Sequence, residues 1–230
     1  TLLASSAASD VYKRQVKLCS LLMNPAILIM PSWNSTSRNG SSKLYKITLI
    51  ILARISKLGG LPALNEKEWK SFLISDVFDI FPGKRLVAAD TTAGDRPFIG
   101  ALDNNNGVAR FVSDTNESLD KNVLGVNYNG NGMVIGFYHP YECIFSDDVK
   151  RFHLKHHEDN EFVLLFMKVA ILQQKSKFGY LYKFNSERMA NTGVMLPVDE
   201  SGNPDYTFME QYVKLSLIHI SEPTRPYDIS

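Results

Sequence analysis

The chain has 230 residues, with 25 Lys and Arg against 24 Asp and Glu, and two cysteines, Cys19 and Cys143. Two cysteines exclude a disulfide scaffold and make a reduced cytoplasm the natural setting. The charge is unevenly spread: residues 16–58 carry six basic side chains and no acid, whereas residues 59–214 carry 16 Lys and Arg against 21 Asp and Glu, a net of −5. A domain at −5 should not hold a polyanion well unaided, so any role on nucleic acid needs a local basic face or a partner that supplies the clamp.

The two ends are read first. Asp10–Gln15 (DVYKRQ) back-translates as GAT GTG TAT AAG AGA CAG, whose reverse complement encodes LSLIHI, residues Leu215 to Ile220. Two peptides from opposite strands of one DNA word read as translated sequencing-library adapter. Residues 1–15 and 215–230 are therefore set aside as non-native, and His219 and Arg225 are not site candidates. Residues 16–58 are uncertain: a frameshifted or spurious read, or the remnant of a preceding helical region. Leu44–Ile55 has the pattern of a helical turn or two, too short and too interrupted by Lys46 and Arg54 to span a membrane.

The remaining 59–214, about 156 residues, is the size of one ordinary domain. Asn65 is placed to cap a short acidic helix start, and Trp69–Ile74 alternates like a half-buried strand. Pro82-Gly83 marks a turn before the exposed pair Lys84-Arg85. Strands are predicted at Pro97–Ala101, Val108–Val112, Val123–Asn127, Met133–Tyr138 and Arg151–Leu154. Asn- and Gly-rich loops, Asp103–Gly107 and Asn127–Gly132, separate them. The second half is helical. Asp159 or Asn160 caps a helix from Glu161 to about Lys175, with Phe162, Leu165, Phe166, Val169 and Leu172 as its core stripe. Asn185 caps a short second helix, Val194–Val198 is a strand, and Asp205 caps a last helix. The pattern is α+β: a twisted, mainly antiparallel sheet with helices in the C-terminal half.

The ordered set WKSFLISDVFDIFPGKRL (Trp69–Leu86), GDRPFIGA (Gly94–Ala101), NNG (Asn105–Gly107), NVLGVNYNG (Asn122–Gly130), SDDV (Ser146–Val149), KFGY (Lys177–Tyr180), ERM (Glu187–Met189), LPVD (Leu196–Asp199) and PDYTFMEQYVK (Pro204–Lys214) resembles the target-recognition domain of type I-like restriction–modification specificity subunits. The resemblance covers nearly all of 59–214. It implies a non-catalytic reader of double-stranded DNA, one of one or two such domains per subunit, each followed by a long helix. It also implies partners: DNA adenine methyltransferase subunits and a restriction subunit of the endonuclease/translocase kind. S-adenosylmethionine, ATP and magnesium are then expected on those partners and no cofactor on this chain. An alternative is the specificity portion of a fused restriction–methyltransferase enzyme whose catalytic region lies upstream.

A reader of bases needs guanidinium and amide groups on exposed loops, since Arg and Lys match guanine and Asn and Gln match adenine. The candidates are Lys84, Arg85, Asn104, Asn105, Asn106, Asn127 and Asn129. Lys175, Lys177, Lys183 and Arg188, interleaved with Tyr180 and Tyr182, form a basic edge of the kind that contacts phosphates. No catalytic residue and no metal ligand is proposed. GNGMVIG (Gly130–Gly136) lacks the spacing of a dinucleotide loop, and Asn127-Tyr128-Asn129-Gly130 lacks both prolines of an adenine methylase loop. His153, His156 and His157 with Glu158 read as a surface cluster. Asp147-Asp148-Val149-Lys150 is too short and common to mark a nuclease, and Cys143 reads as a small buried apolar group.

Overall fold

The computed structural model describes residue 10 and residues 12–16, 60–130, 132–179 and 181–221, the side chains of 218–221 excepted. The 44–55 helix and Tyr180 lie outside the described residues. In chain order the elements are β1 (Trp69–Leu73), α1 (Ile74–Val77), β2 (Phe78–Pro82), β3 (Ala93–Ile99), β4 (Val108–Val112) and β5 (Val123–Asn127). They continue as β6 (Gly136–His139), β7 (Ile144–Phe145), β8 (Val149–Leu154), α2 (Glu161–Leu172), α3 (Ser186–Ala190), β9 (Gly193–Pro197) and α4 (Tyr206–Ser221).

The α+β class and the mainly antiparallel pairing hold, but the strands divide among three sheets. β2, β8, β5 and β6 form one in that order, all antiparallel. In the second, β3 lies between β4, antiparallel to it, and β7, parallel to it. The third pairs the first strand with the last: β1 runs antiparallel to β9, with Trp69 opposite Pro197.

Local chemistry explains where the elements begin and end. The three helix caps expected in the second half form. Asn160 accepts from the amides of Phe162 and Val163 at 2.9 and 3.3 Å, Asn185 from Arg188 at 2.9 Å, and Asp205 from Phe208 at 2.9 Å. Asn65 caps nothing. Residues 64–66 make turns, the Glu66 carboxylate taking the Ala63 amide at 2.8 Å and the Trp69 indole donating to the Leu64 carbonyl at 2.8 Å. Such side-chain-to-backbone bonds compete with a helix start. β6 begins three residues later than predicted because Gly130 and Val134 take left-handed backbones, at φ 72° and 70°. For a valine this conformation is strained by about 1–3 kcal/mol. α2 stops at Leu172, and Lys175–Lys177 close a single 3-10 turn.

The predicted stripe on α2 is too narrow. Leu165, Phe166 and Val169 are buried, but so are Val163, Leu164, Met167, Ala170 and Ile171. The helix, apolar but for Glu161 and Lys168, is wrapped by β5, β6, β9 and α4. Around it lies the main core, to which Phe78, Leu124, Phe152, Phe184, Val194 and Met209 contribute. The packed body also runs beyond the 59–214 boundary. α4 continues to Ser221, with Ser216 buried and Leu215 and Leu217 against the core. At the other end the Gln15 carboxamide is buried, its Nε2 donating to the Tyr138 carbonyl at 2.9 Å and its Oε1 accepting from the Lys168 ammonium at 2.8 Å.

Leu164 is fully buried on the wrapped helix, so Leu164→Ala should cost about 2–5 kcal/mol in denaturant unfolding. Asn160→Ala, which removes only the cap, should cost about 1 kcal/mol.

Candidate nucleic-acid interface

The strand register gathers the candidate loops. Pro82 lies opposite Lys150, Asn127 opposite Val149 and Val126 opposite Gly136. The end of β2, the start of β8 and the β5–β6 loop therefore share one end of the four-stranded sheet. Parallel pairing of Phe98 and Ile99 with Ile144 and Phe145 brings the β3–β4 loop and the β7–β8 turn to that same end.

Short contacts then join the loops. Gly83 donates to the Val149 carbonyl at 3.1 Å and Lys84 to the Phe145 carbonyl at 2.8 Å. A Cβ at Gly83 would sit 1.9 Å from the Ser146 carbonyl oxygen, so only glycine lets the Lys84-Arg85 loop approach this closely. The Asn129 amide donates to Asp148 at 3.0 Å and the Asn127 amide to the Leu102 carbonyl at 2.7 Å. From the β5–β6 loop, Met133 accepts the Phe184 amide on its sulfur at 3.1 Å, which ties in the basic edge. That bond joins the loop to the Lys175–Arg188 stretch through two buried residues.

The individual candidates fare differently. Arg85, Asn104 and Asn105 are exposed. Asn105 sits at φ 46° and donates to the Val108 carbonyl at 3.2 Å, and Asn104 donates to Asp103 at 3.1 Å, so both amides are engaged in the turn. Lys84 is exposed but paired with Glu117 at 2.6 Å, a contact that raises the lysine's pKa and lowers that of the glutamate. Asn129 is half-buried against Asp148. Two candidates must be corrected: Asn106 and Asn127 are buried, at 0% and 2% exposure. Asn106 donates to the Tyr141 hydroxyl at 2.6 Å, so it holds its loop down from beneath, as Asn127 does through Leu102. The NNG and NYNG runs do not reveal this, because neighbouring asparagines of one loop differ in burial.

The basic edge is exposed at Lys175, Lys177, Tyr182 and Lys183. Arg188 lays its guanidinium 3.9 Å from the centre of the Tyr182 ring and donates to the Lys183 carbonyl at 3.0 Å. Lys177, Tyr182 and Arg188, with Phe178, Glu187, Asn191, Thr192 and Gly193, line an open depression of about 490 Å³. Sequence reasoning missed Lys150 and Tyr128, whose ammonium and ring meet at 4.7 Å beside the Asn129 loop. The signal was present in NYNG and DDVK, but only the β5–β8 register brings the two together.

The histidine run resolves into separate partners. His153 directs Nε2 to Asp120 at 3.0 Å and Nδ1 to Asp159 at 2.6 Å, and its pKa rises to about 9 through those hydrogen bonds. Burial pushes the Asp120 carboxyl up, but hydrogen bonds and charge from His153, with Arg151 at 2.9 Å, leave it below its ordinary value. His157 instead contacts the Glu158 carbonyl at 2.7 Å and the Tyr206 ring. Among the described residues no three His, Cys, Asp or Glu side chains gather as a metal site. Cys143 is fully buried, and burial pushes its thiol pKa well up, which suits the small apolar role expected of it. Among the described residues, no helix is long and apolar enough to cross a membrane.

The α+β fold gathers its polar loops at one end of the four-stranded sheet. Residues 66–225 match the type I restriction modification DNA specificity domain, and the chain belongs to that family. It is 54% identical over 153 residues to the specificity subunit S.BcgI of a type II restriction enzyme from Heyndrickxia coagulans, an alignment that takes in 66% of this chain and 45% of that protein. The fold is similar to that of the S subunit of a type I restriction–modification system from M. genitalium, with a TM-score of 0.55, 14% identity, and coverage of 95% of this chain and 54% of that one. The HsdS subunit from Thermoanaerobacter tengcongensis aligns at a TM-score of 0.46 and 11% identity over 96% of this chain and 48% of that one. The chain thus spans about half the length of the relatives it matches.

Since the folded-state pKa of His153 lies above its ordinary 6.5, its stabilisation is complete below about pH 6.5 and is lost as pH rises through about 9. Thermal melts from pH 6 to 10 should show this decline in the wild type. His153→Asn should be less stable at pH 6, with a flatter profile above it.

Proposed function

We propose that this domain reads one part of a DNA target for a restriction–modification complex and directs partner subunits to it without performing chemistry itself. What supports the reading is the gathering of amide- and guanidinium-bearing loops at one end of the sheet, with Lys175–Arg188 as a second, cationic element, in a chain that belongs to a DNA specificity family. Arg85 and the exposed loop amides are the groups suited to base edges, and Lys175, Lys177, Lys183 and Arg188 those suited to phosphates. The net charge of −5 over residues 59–214 means that the clamp on the duplex comes largely from partners. On this reading those partners are adenine methyltransferase subunits and a restriction subunit, and S-adenosylmethionine, ATP and magnesium act on them. A fused restriction–methyltransferase polypeptide gains no support from relatives that are specificity subunits by name.

Placed in a working specificity subunit in exchange for its own domain, residues 59–214 should redirect methylation to a new half-site, mapped as modified adenines across a genome. An unchanged half-site would sink the reading. Lys183→Ala should weaken duplex binding about equally for all sequences and reduce the log–log salt slope by about one, leaving base preference intact.

A further inference from the structure

We infer that Lys150 determines specificity: its ammonium reads the O6 and N7 acceptors of one guanine in the bound duplex and is not a phosphate anchor. The inference rests on the DNA-reading function proposed above and assigns one base contact within it.

Side chains alternate along a strand, so β8 carries Lys150 on the same face as Phe152 and Leu154. Both of those enter the main core. Lys150 stands at the end of that face, opposite Pro82 on β2 and Val126 on β5, where the polar loops gather. The residue is half-buried there, and its ammonium lies 4.7 Å from the centre of the Tyr128 ring. Tyr128 is fixed in turn: it packs against the main core, and its amide donates to the Asp148 carbonyl at 3.1 Å. The Asp148 carboxylate takes the Asn129 amide at 3.0 Å, which holds the same loop a second time. A cation seated on an anchored ring is already oriented, so it loses less side-chain freedom on binding.

The ammonium's donors are uncommitted. Among the described residues it meets the Tyr128 ring but donates no hydrogen bond and has no carboxylate at ion-pair distance. Burial pushes its pKa down, as partial loss of hydration does. Other candidates at this end differ. Lys84 is paired with Glu117, and the Asn104 and Asn105 amides are engaged in their own turn.

Neighbouring charge selects the partner. Asp147 and Asp148 act on Lys150 through their charge. Two nearby carboxylates repel a phosphate and leave a neutral acceptor unopposed. Lys175, Lys177 and Lys183, by contrast, belong to a stretch, 175–188, whose one acid is Glu187. Among base edges in the major groove, guanine offers two adjacent acceptors. Adenine and cytosine place an amino donor there that an ammonium cannot use, and thymine sets a methyl group beside its one acceptor.

The test uses the full chain and duplexes enriched from a random pool by the wild type at low ionic strength. Lys150→Met should remove the preference for guanine at one position of the enriched sequence and keep the preferences elsewhere. On the enriched duplex it should bind about tenfold more weakly than the wild type. On a duplex changed at that guanine the two should bind alike, which also shows that the variant is folded. The salt slope should stay the same, because no phosphate contact is lost. Lys150→Arg should keep the guanine, and Tyr128→Leu, which removes the ring under the ammonium, should weaken discrimination at the same position. If Lys150→Met selects the wild-type sequence, or weakens all duplexes alike with a salt slope lower by about one, Lys150 reads no base, while DNA reading stands. If the wild type enriches no common sequence, DNA reading itself fails, and this contact with it.

Discussion

The helix Glu161–Leu172 is apolar but for Glu161 and Lys168, and a helix of that kind has to be enclosed. β5 and β6, β9 and α4 all pack against it, which gives the strands their core faces. With those faces committed inward, the chain's polar segments are left at the strand ends. The register of β2, β8, β5 and β6 then decides which loops share an end. The candidate surface follows from enclosing one helix and pairing strands in one register.

Charge at that surface is local and largely balanced. Glu117 answers Lys84, and Asp148 takes the Asn129 amide. Farther along β8, Arg151 and the imidazolium of His153 answer Asp120, and Asp159 shares His153. Among the described residues, Lys175, Lys177 and Lys183 are exposed cations close together in sequence, and the nearby Arg188 guanidinium lies over the Tyr182 ring. Such an arrangement suits orientation on a polyanion better than affinity for it, because affinity grows with the number of phosphates neutralised.

Elements whose signal is local were readable in the sequence. Asn160, Asn185 and Asp205 announced their helices because a cap depends only on amides two or three residues ahead. Val108–Val112 and Val123–Asn127 were placed to the residue. Features set by distant partners were not readable. Ile144–Phe145 is a strand only because β3 runs beside it, and Phe78–Pro82 only because β8 does. The inward turn of Asn106 and Asn127 depends on Tyr141 and Leu102, and the early bend before β6 on a strained valine that no pattern announces. The basic edge was legible as composition, but its brace of Phe178, Tyr182 and Phe184 required the fold.

Pairing the first strand with the last has a consequence for synthesis. Trp69 finds its partner only when Pro197 has left the ribosome, so β1 waits through nearly the whole domain with its edge unfilled. Contacts of such wide sequence separation form slowly, since a long loop must close before the pairing is rewarded. The nascent chain therefore holds an open strand edge until translation passes Gly193, and the domain closes late and as a unit. That delay makes the unfinished chain, rather than the finished domain, the species most exposed to misassociation.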